Sequence, residues 1–420
     1  MEVVLSIHEL CFSGGTETYL VTVGEQLQRL GHEVTVWAPV RGPFADVVRG
    51  RGLRVADEEA ELPAHPDVVY AQEAETAFQL AERYPSTPMV SGLHAVDHDL
   101  TIPPQLPGLV AAVVTLYDRV ERRATSLAAV SEVVRLRQPI DLSRFTPRGP
   151  LRNPPRRVLL FGSYVRGDRR ELVFEACARA GLECEQVGSH TDGYTTEPEA
   201  AICDADIVIG KARAILEAMA CGRAAYVYDH NGGDGWVTPE RYGLLEADNF
   251  AGQAAPEVID EDRLVRDLIG YRREMGPANR DLAVTHHSAT NHAEELVALF
   301  ARVARKREPV SAPLREMARL VRVQWQTDSR AIGLGHELDA IRRERDELWL
   351  QKRELEAQLA DSARHAEAAE RRAQAAEQRE RDLRETRRFR LAAAIASPLD
   401  SMRRRQRTFG RHGVDRTHPG

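Results

Sequence analysis

The chain has 420 residues, 43% of them apolar, which is enough to fill sizeable cores and excludes wholesale disorder. Its 64 acidic and 57 basic side chains leave a formal charge of −7, which argues against a dedicated nucleic-acid binder. No apolar run approaches the roughly 18 residues of a membrane span, and five cysteines without a C-x-x-C pair suit a reducing cytoplasm.

In chain order, Val3–Ile7 reads as a short buried strand, followed by the loop Cys11–Thr16 and a helical period from Glu17 to Leu30 that stops at Gly31. His32–Ala38 alternates like a strand. Asp67–Tyr70, Pro88–Leu93 and Val110–Thr115 are further short apolar runs with helical stretches between them. Strands separated in this way need crossover helices, so a parallel, doubly wound sheet is expected. Pro147–Arg157 is rich in proline, glycine and arginine and marks the domain boundary. Arg157–Gly162 then opens a second series, with later strands at Glu185–Val187, Asp206–Ile209 and Ala224–Tyr228. The fold class is therefore α/β, with two Rossmann-like domains, 1–150 and 156–305, facing across a cleft. A linker, 306–336, is expected to follow. From Glu337 to Arg388 there is neither proline nor glycine. A seven-residue register there places Ile341, Leu348, Leu355, Ala369, Ala376 and Leu383 on one seam and Leu338, Leu359, Ala366 and Ala373 on the other. Arg345, Lys352, Ser362 and Glu380 interrupt it. The pattern predicts a coiled coil over 337–388 that makes the protein a homo-oligomer. The competing reading is a solvated single helix held by i,i+4 charge pairs. In the basic tail, 389–420, arginines flank a short apolar stretch around Leu391 and Ile395. That composition fits either peripheral contact with an anionic membrane or a disordered end.

Three segments carry a resemblance. They are Ser13-Gly-Gly-Thr-Glu17 after the opening strand, Gln138-Pro-Ile-Asp-Leu-Ser-Arg-Phe-Thr-Pro147, and Ile215-Leu-Glu-Ala-Met-Ala-Cys-Gly222, the last followed by Asp229-His-Asn-Gly-Gly233 and Tyr242-Gly-Leu-Leu245. In order and spacing over roughly 1–305 they resemble glycosyltransferases of family 4, of GT-B architecture. The resemblance implies transfer of a sugar from a nucleoside diphosphate sugar to a hydroxyl on a glycan or lipid-linked acceptor, as in polysaccharide biosynthesis. It also implies retention of configuration and no cofactor or metal. Two other classes compete: a catalytically silent GT-B scaffold, and a GT-B sugar-nucleotide epimerase.

Gly14, Gly15 and Thr16 join a strand to a helix, where backbone amides can approach phosphate; an ordinary tight turn is the alternative. The resemblance makes this the loop facing the donor diphosphate. It assigns Glu217 to the donor ribose, against the alternative of a first-turn glutamate favoured by the helix dipole. It also sets His94, at the end of an apolar strand with His98 close behind, beside the acceptor and the transferred sugar. Two departures stand out. Ile209 occupies the place of a second family glutamate, and Ser163 replaces an arginine after Gly162. Arg166, Arg169 and Arg170, or Lys211 with Arg213, can supply the positive charge instead. Gly232 and Gly233, in the glycine-rich stretch Asn231–Pro239, are expected to bring amides to the donor, with Trp236 either stacking on it or anchoring the loop. His286, His287 and His292 form no metal set. Asp204-Ala-Asp206 leads directly into a strand, so no metal-binding D-x-D loop is expected.

Overall fold

The computed structural model describes residues 1–396, apart from 97–98, 128–131, 164, 189–194, 231, 256–257, 306 and 389. His98, Asn231 and most of the basic tail therefore lie outside the described residues.

Short apolar runs form the strands of the first half: β1 (Glu2–Ser6), β2 (Glu9–Leu10), β3 (Glu33–Trp37), β4 (Val40–Arg41), β5 (Arg54–Ala56), β6 (Val68–Ala71), β7 (Met89–Leu93), β8 (Ala112–Thr115) and β9 (Val133–Arg135). β2 pairs with β4, and the other seven build one sheet in the order β5-β3-β1-β6-β7-β8-β9, parallel throughout. The order reverses between β1 and β6, which opens a crevice at their carboxyl ends. The crossovers are α1 (Gly15–Arg29), α2 (Pro43–Gly50), α3 (Ala74–Arg83) and α4 (Asp118–Thr125).

The second half repeats the plan with β10 (Arg157–Phe161), β11 (Glu183–Val187), β12 (Ile207–Gly210), β13 (Ala224–Asp229) and β14 (Gly232–Trp236). Their order is β11-β10-β12-β13-β14, with only the β13–β14 pair antiparallel. Its helices are α5 (Asp168–Arg179), α6 (Glu199–Asp204), α7 (Arg213–Ala220), α8 (Tyr242–Ala247), α9 (Glu261–Ile269) and α10 (Met275–His286). The remaining helices are α11 (Ala289–Val303) and α12 (Leu314–Glu385).

Packing moves the boundary away from Pro147–Arg157. Ile140 and Phe145 are buried in the second half's core, whereas Ala293, Leu296, Leu299 and Phe300 of α11 fill the first half's core. The chain thus crosses twice, and the crossings pair: Ile140 N–H donates to the His287 carbonyl, and Ala289 N–H to that of Ile140. Two buried histidines lock the crossing segment. His287 Nδ1 lies 2.8 Å from the Gln138 carbonyl and its Nε2 2.9 Å from the Tyr242 hydroxyl. His292 repeats this with the Arg137 carbonyl and the Tyr19 hydroxyl, at 2.9 and 3.0 Å. In both rings Nδ1 must carry the proton and Nε2 must accept.

The expected linker is helical from Leu314 onward, because the first turns of α12 have somewhere to pack. Leu314 and Ala318 join the first half's core. Arg322 pairs with the fully buried Glu75 at 2.6 Å, and Trp325 stacks on His8 with ring centroids 4.9 Å apart. Residues 328–420 form a separate unit, in which the α12 residues of the expected seam are solvent-exposed.

Candidate functional site

A cavity of about 410 Å³ lies between the two halves, at the carboxyl ends of both sheets. The first half contributes Glu9 to β2's end of the wall, the loop Phe12–Gly15, and Glu17 and Thr18 from the first turn of α1. The second half contributes Gly162 and Ser163 after β10, Gly188 after β11, Lys211–Ala214 between β12 and α7, then Glu217 and Asp229. Close approach of backbones shapes the second wall. A Cβ on Gly188 would stand 2.6 Å from the Gly162 carbonyl oxygen, and one on Gly210 2.6 Å from that of Phe161. Ala212, which caps α7, holds φ at 48°, a left-handed conformation costly for a residue with a Cβ.

Apart from Glu9 and Glu17, the charged side chains lining this cavity are arranged as ion pairs. Lys211 Nζ is 2.7 Å from Asp229 Oδ2, and Arg213 Nε is 2.8 Å from Glu217 Oε1. Arg213 also spans the halves, donating to Thr22 Oγ1 of α1 at 3.1 Å and to the Pro139 carbonyl at 3.3 Å. Arg51 pairs with Glu25, and Arg144 with Glu199. Burial pushes the Glu217 carboxyl above its ordinary range, while Arg213 and Arg144 pull it back. Such an array suits a ligand carrying both hydroxyls and phosphate, since each pair can open to meet one of them.

Of the residues singled out from sequence, Gly14, Gly15, Lys211 and Glu217 come together here. Thr16 sits in the first turn of α1 and does not line the cavity. Arg169 reaches the Asp229 carbonyl at 3.3 Å and lies over the Tyr228 ring, so it stands behind the Lys211–Asp229 pair. Arg166 folds back on the Ser163 carbonyl at 2.9 Å, outside the lining. Gly232 and Gly233 belong to β14 rather than to an open loop. Cβ atoms there would meet the Gly252 carbonyl at 2.9 Å and Ile259 at 2.6 Å, so close packing accounts for both glycines. Trp236 donates to the Asp267 carbonyl at 3.2 Å and anchors that hairpin. His94 packs edge-on against Tyr19, centroids 4.7 Å apart, away from the cavity lining. Burial and the nearby His292 lower its pKa to about 3, so the ring is neutral.

Sequence reasoning passed over Asp229, Arg144, Ala212 and the role of Glu17. The signal for Glu17 was present: a glutamate three residues after a helix-capping position is half of a capping box. The other three owe their places to tertiary packing. Among the described residues, no group of three His, Cys, Asp or Glu side chains is arranged to hold a metal ion.

No protein-family model and no curated relative matches the chain. Among solved structures, the chain is similar to Anabaena Alr3699/HepE in complex with UDP and glucose, at 12% identity and a TM-score of 0.52. The match covers 72% of this chain and 100% of that one. The same protein in complex with UDP-glucose matches with the same values. The two Rossmann-like halves and the cavity between them are thus a GT-B arrangement.

Proposed function

We propose that the chain is a glycosyltransferase that moves a sugar from a nucleoside diphosphate sugar to a hydroxyl acceptor. The observation that carries this reading is the cavity between the two halves at the carboxyl ends of both sheets, in a fold shared with a protein whose structures hold UDP, glucose and UDP-glucose. In this reading Glu217 accepts hydrogen bonds from the donor ribose. Lys211, backed by Arg169, and the Gly14–Gly15 loop stabilise the leaving diphosphate by charge and amide donation. Arg213, bonded to both halves, ties donor binding to their closure, and closure excludes water.

The finer features belong to the same proposal. They are retention at the anomeric carbon, transfer without a metal, a glycan or lipid-linked acceptor, a cytoplasmic location, self-association through 337–388, and contact of the tail with anionic membrane. The deciding experiment is a thermal-shift screen over nucleoside diphosphate sugars, since a ligand of the native state raises the melting temperature with its concentration. UDP-glucose or a relative is expected to do so, and the stabilising donor should then be consumed by an added glycan acceptor with EDTA present. If no nucleotide sugar shifts the melting curve, the reading is wrong.

A further inference from the structure

We propose that Glu17 competes with a donor diphosphate for the amide at the start of α1, so that diphosphate binding is coupled to uptake of one proton by the Glu17 carboxyl group. The inference rests on the nucleotide-sugar reading of the cavity and adds to it a residue and a proton.

Glu17 is the third residue after the helix-capping Gly14, and its carboxyl group turns back toward the N–H groups of Gly14 and of Glu17 itself, which favour its ionised form. It lies so close that a Cβ on Gly14 would stand 2.3 Å from Glu17 Oε2. Both residues line the cavity. A carboxylate reaching back to the capping amide is half of a capping box. The same amide at the end of a 15-residue helix is what a phosphate would use. The two anions cannot hold it together, and a diphosphate beside a carboxylate disfavours the ionised form of that carboxylate. Protonation removes the conflict: one proton moves from solvent to a Glu17 oxygen, and the amide is released.

The surroundings favour that step. Burial first, with the Glu9 charge adding to it, pushes Glu17 up to about 7 against the pull of its two amides. The groups facing it from neighbouring elements are Glu9 on β2, the Cys11 thiol after it, Glu73 ahead of α3, and Phe44 and Val47 on α2, while Arg51 at the end of α2 lines the same cavity and is paired with Glu25. Across the cavity the cations already hold carboxylates, Lys211 that of Asp229 and Arg213 that of Glu217.

The test is calorimetry with UDP-glucose from about pH 6 to pH 8.5, in pairs of buffers of different ionisation enthalpy. UDP-glucose carries no group that titrates in this range. Native protein is expected to take up close to one proton per donor bound above pH 7, with Kd weakening toward tenfold per pH unit. Glu17→Gln mimics the protonated, uncharged side chain at every pH. It should lose the pH slope and bind more tightly than native protein at the alkaline end. The buffer dependence of the native protein needs no variant, and a melting curve shows whether Glu17→Gln is folded. Absence of proton uptake by native protein, or an unchanged slope in folded Glu17→Gln, overturns the proposal. Failure of UDP-glucose and other nucleoside diphosphate sugars to bind at any pH overturns the nucleotide reading itself, and this inference with it.

Discussion

Glu217 has two claimants. Its carboxylate holds Arg213, and the proposed donor ribose asks for the same oxygens. Each hydrogen bond to a charged group is worth about 1.5–3 kcal/mol, so Glu217→Gln should weaken UDP-glucose binding at least tenfold by calorimetry. The same change strands a buried guanidinium, so the melting temperature should fall as well. Replacing Arg213 by glutamine in that background should restore the melting temperature without restoring affinity. The hinge histidines make a pH prediction. Burial holds His287 and His292 near 4, well below the ordinary 6.5. The unfolded chain therefore binds protons first as the solution is acidified. Their contribution is full above pH 6.5 and is lost as pH falls from 6.5 through 4, on the order of 3 kcal/mol each. Urea unfolding at pH 7 and pH 5 should show the drop, and His287→Gln should lessen it. At this scale, the meeting of Glu217, Lys211, Gly14 and Gly15 at one cavity was legible because each sits in a short run whose residue types announce its geometry. Ala212 was not, since an alanine gives no hint of a left-handed backbone. Gly232 and Gly233 misled for the opposite reason: glycine serves close packing as readily as it serves an open loop.

The start of α12 is where element and sequence part most. The sequence expectation there is a linker over 306–336. Tertiary contacts reverse that reading, since Leu314 and Ala318 are buried in the first half and Arg322 reaches the fully buried Glu75, which also holds His8 at 2.5 Å. A chain ending at Thr327 should therefore melt well above one ending at Glu308, by calorimetry. Arg322→Ala should cost on the order of 2 kcal/mol in urea titrations; the cost is moderated because Arg322 is partly exposed and His8 remains on Glu75. An unchanged urea midpoint would show the pair to be incidental. The strands fared better. Their apolar runs are short, bounded and repeated in order, so the strand series of both sheets was readable apart from brief edge strands such as β5, β9 and β14, where three residues or a run of glycines leave no pattern.

For the whole molecule, the exposed heptad seam of α12 predicts self-association. The alanines at 366, 369, 373 and 376 let helices approach closely but bury little area, so the assembly should be modest in strength. Light scattering at micromolar concentration should give a mass above one chain for the full-length protein and a single-chain mass for a chain ending at Thr327. A monomeric full-length protein would remove the coil from the account. Two α/β halves were legible because strand order repeats along the sequence. Their true seam was not, because residues distant in sequence decide it: α11 fills the first core, while Ile140 and Phe145 fill the second. This interlock bears on how such a protein can change over generations. A single exchange near residue 150 would hand each descendant a first half lacking its own closing helix and a hinge whose two strands come from different parents. Swapping one half for a relative's needs two simultaneous joins, one on each side of the paired crossing. Specificity is thus far easier to acquire by substitution within the cavity walls than by shuffling whole halves.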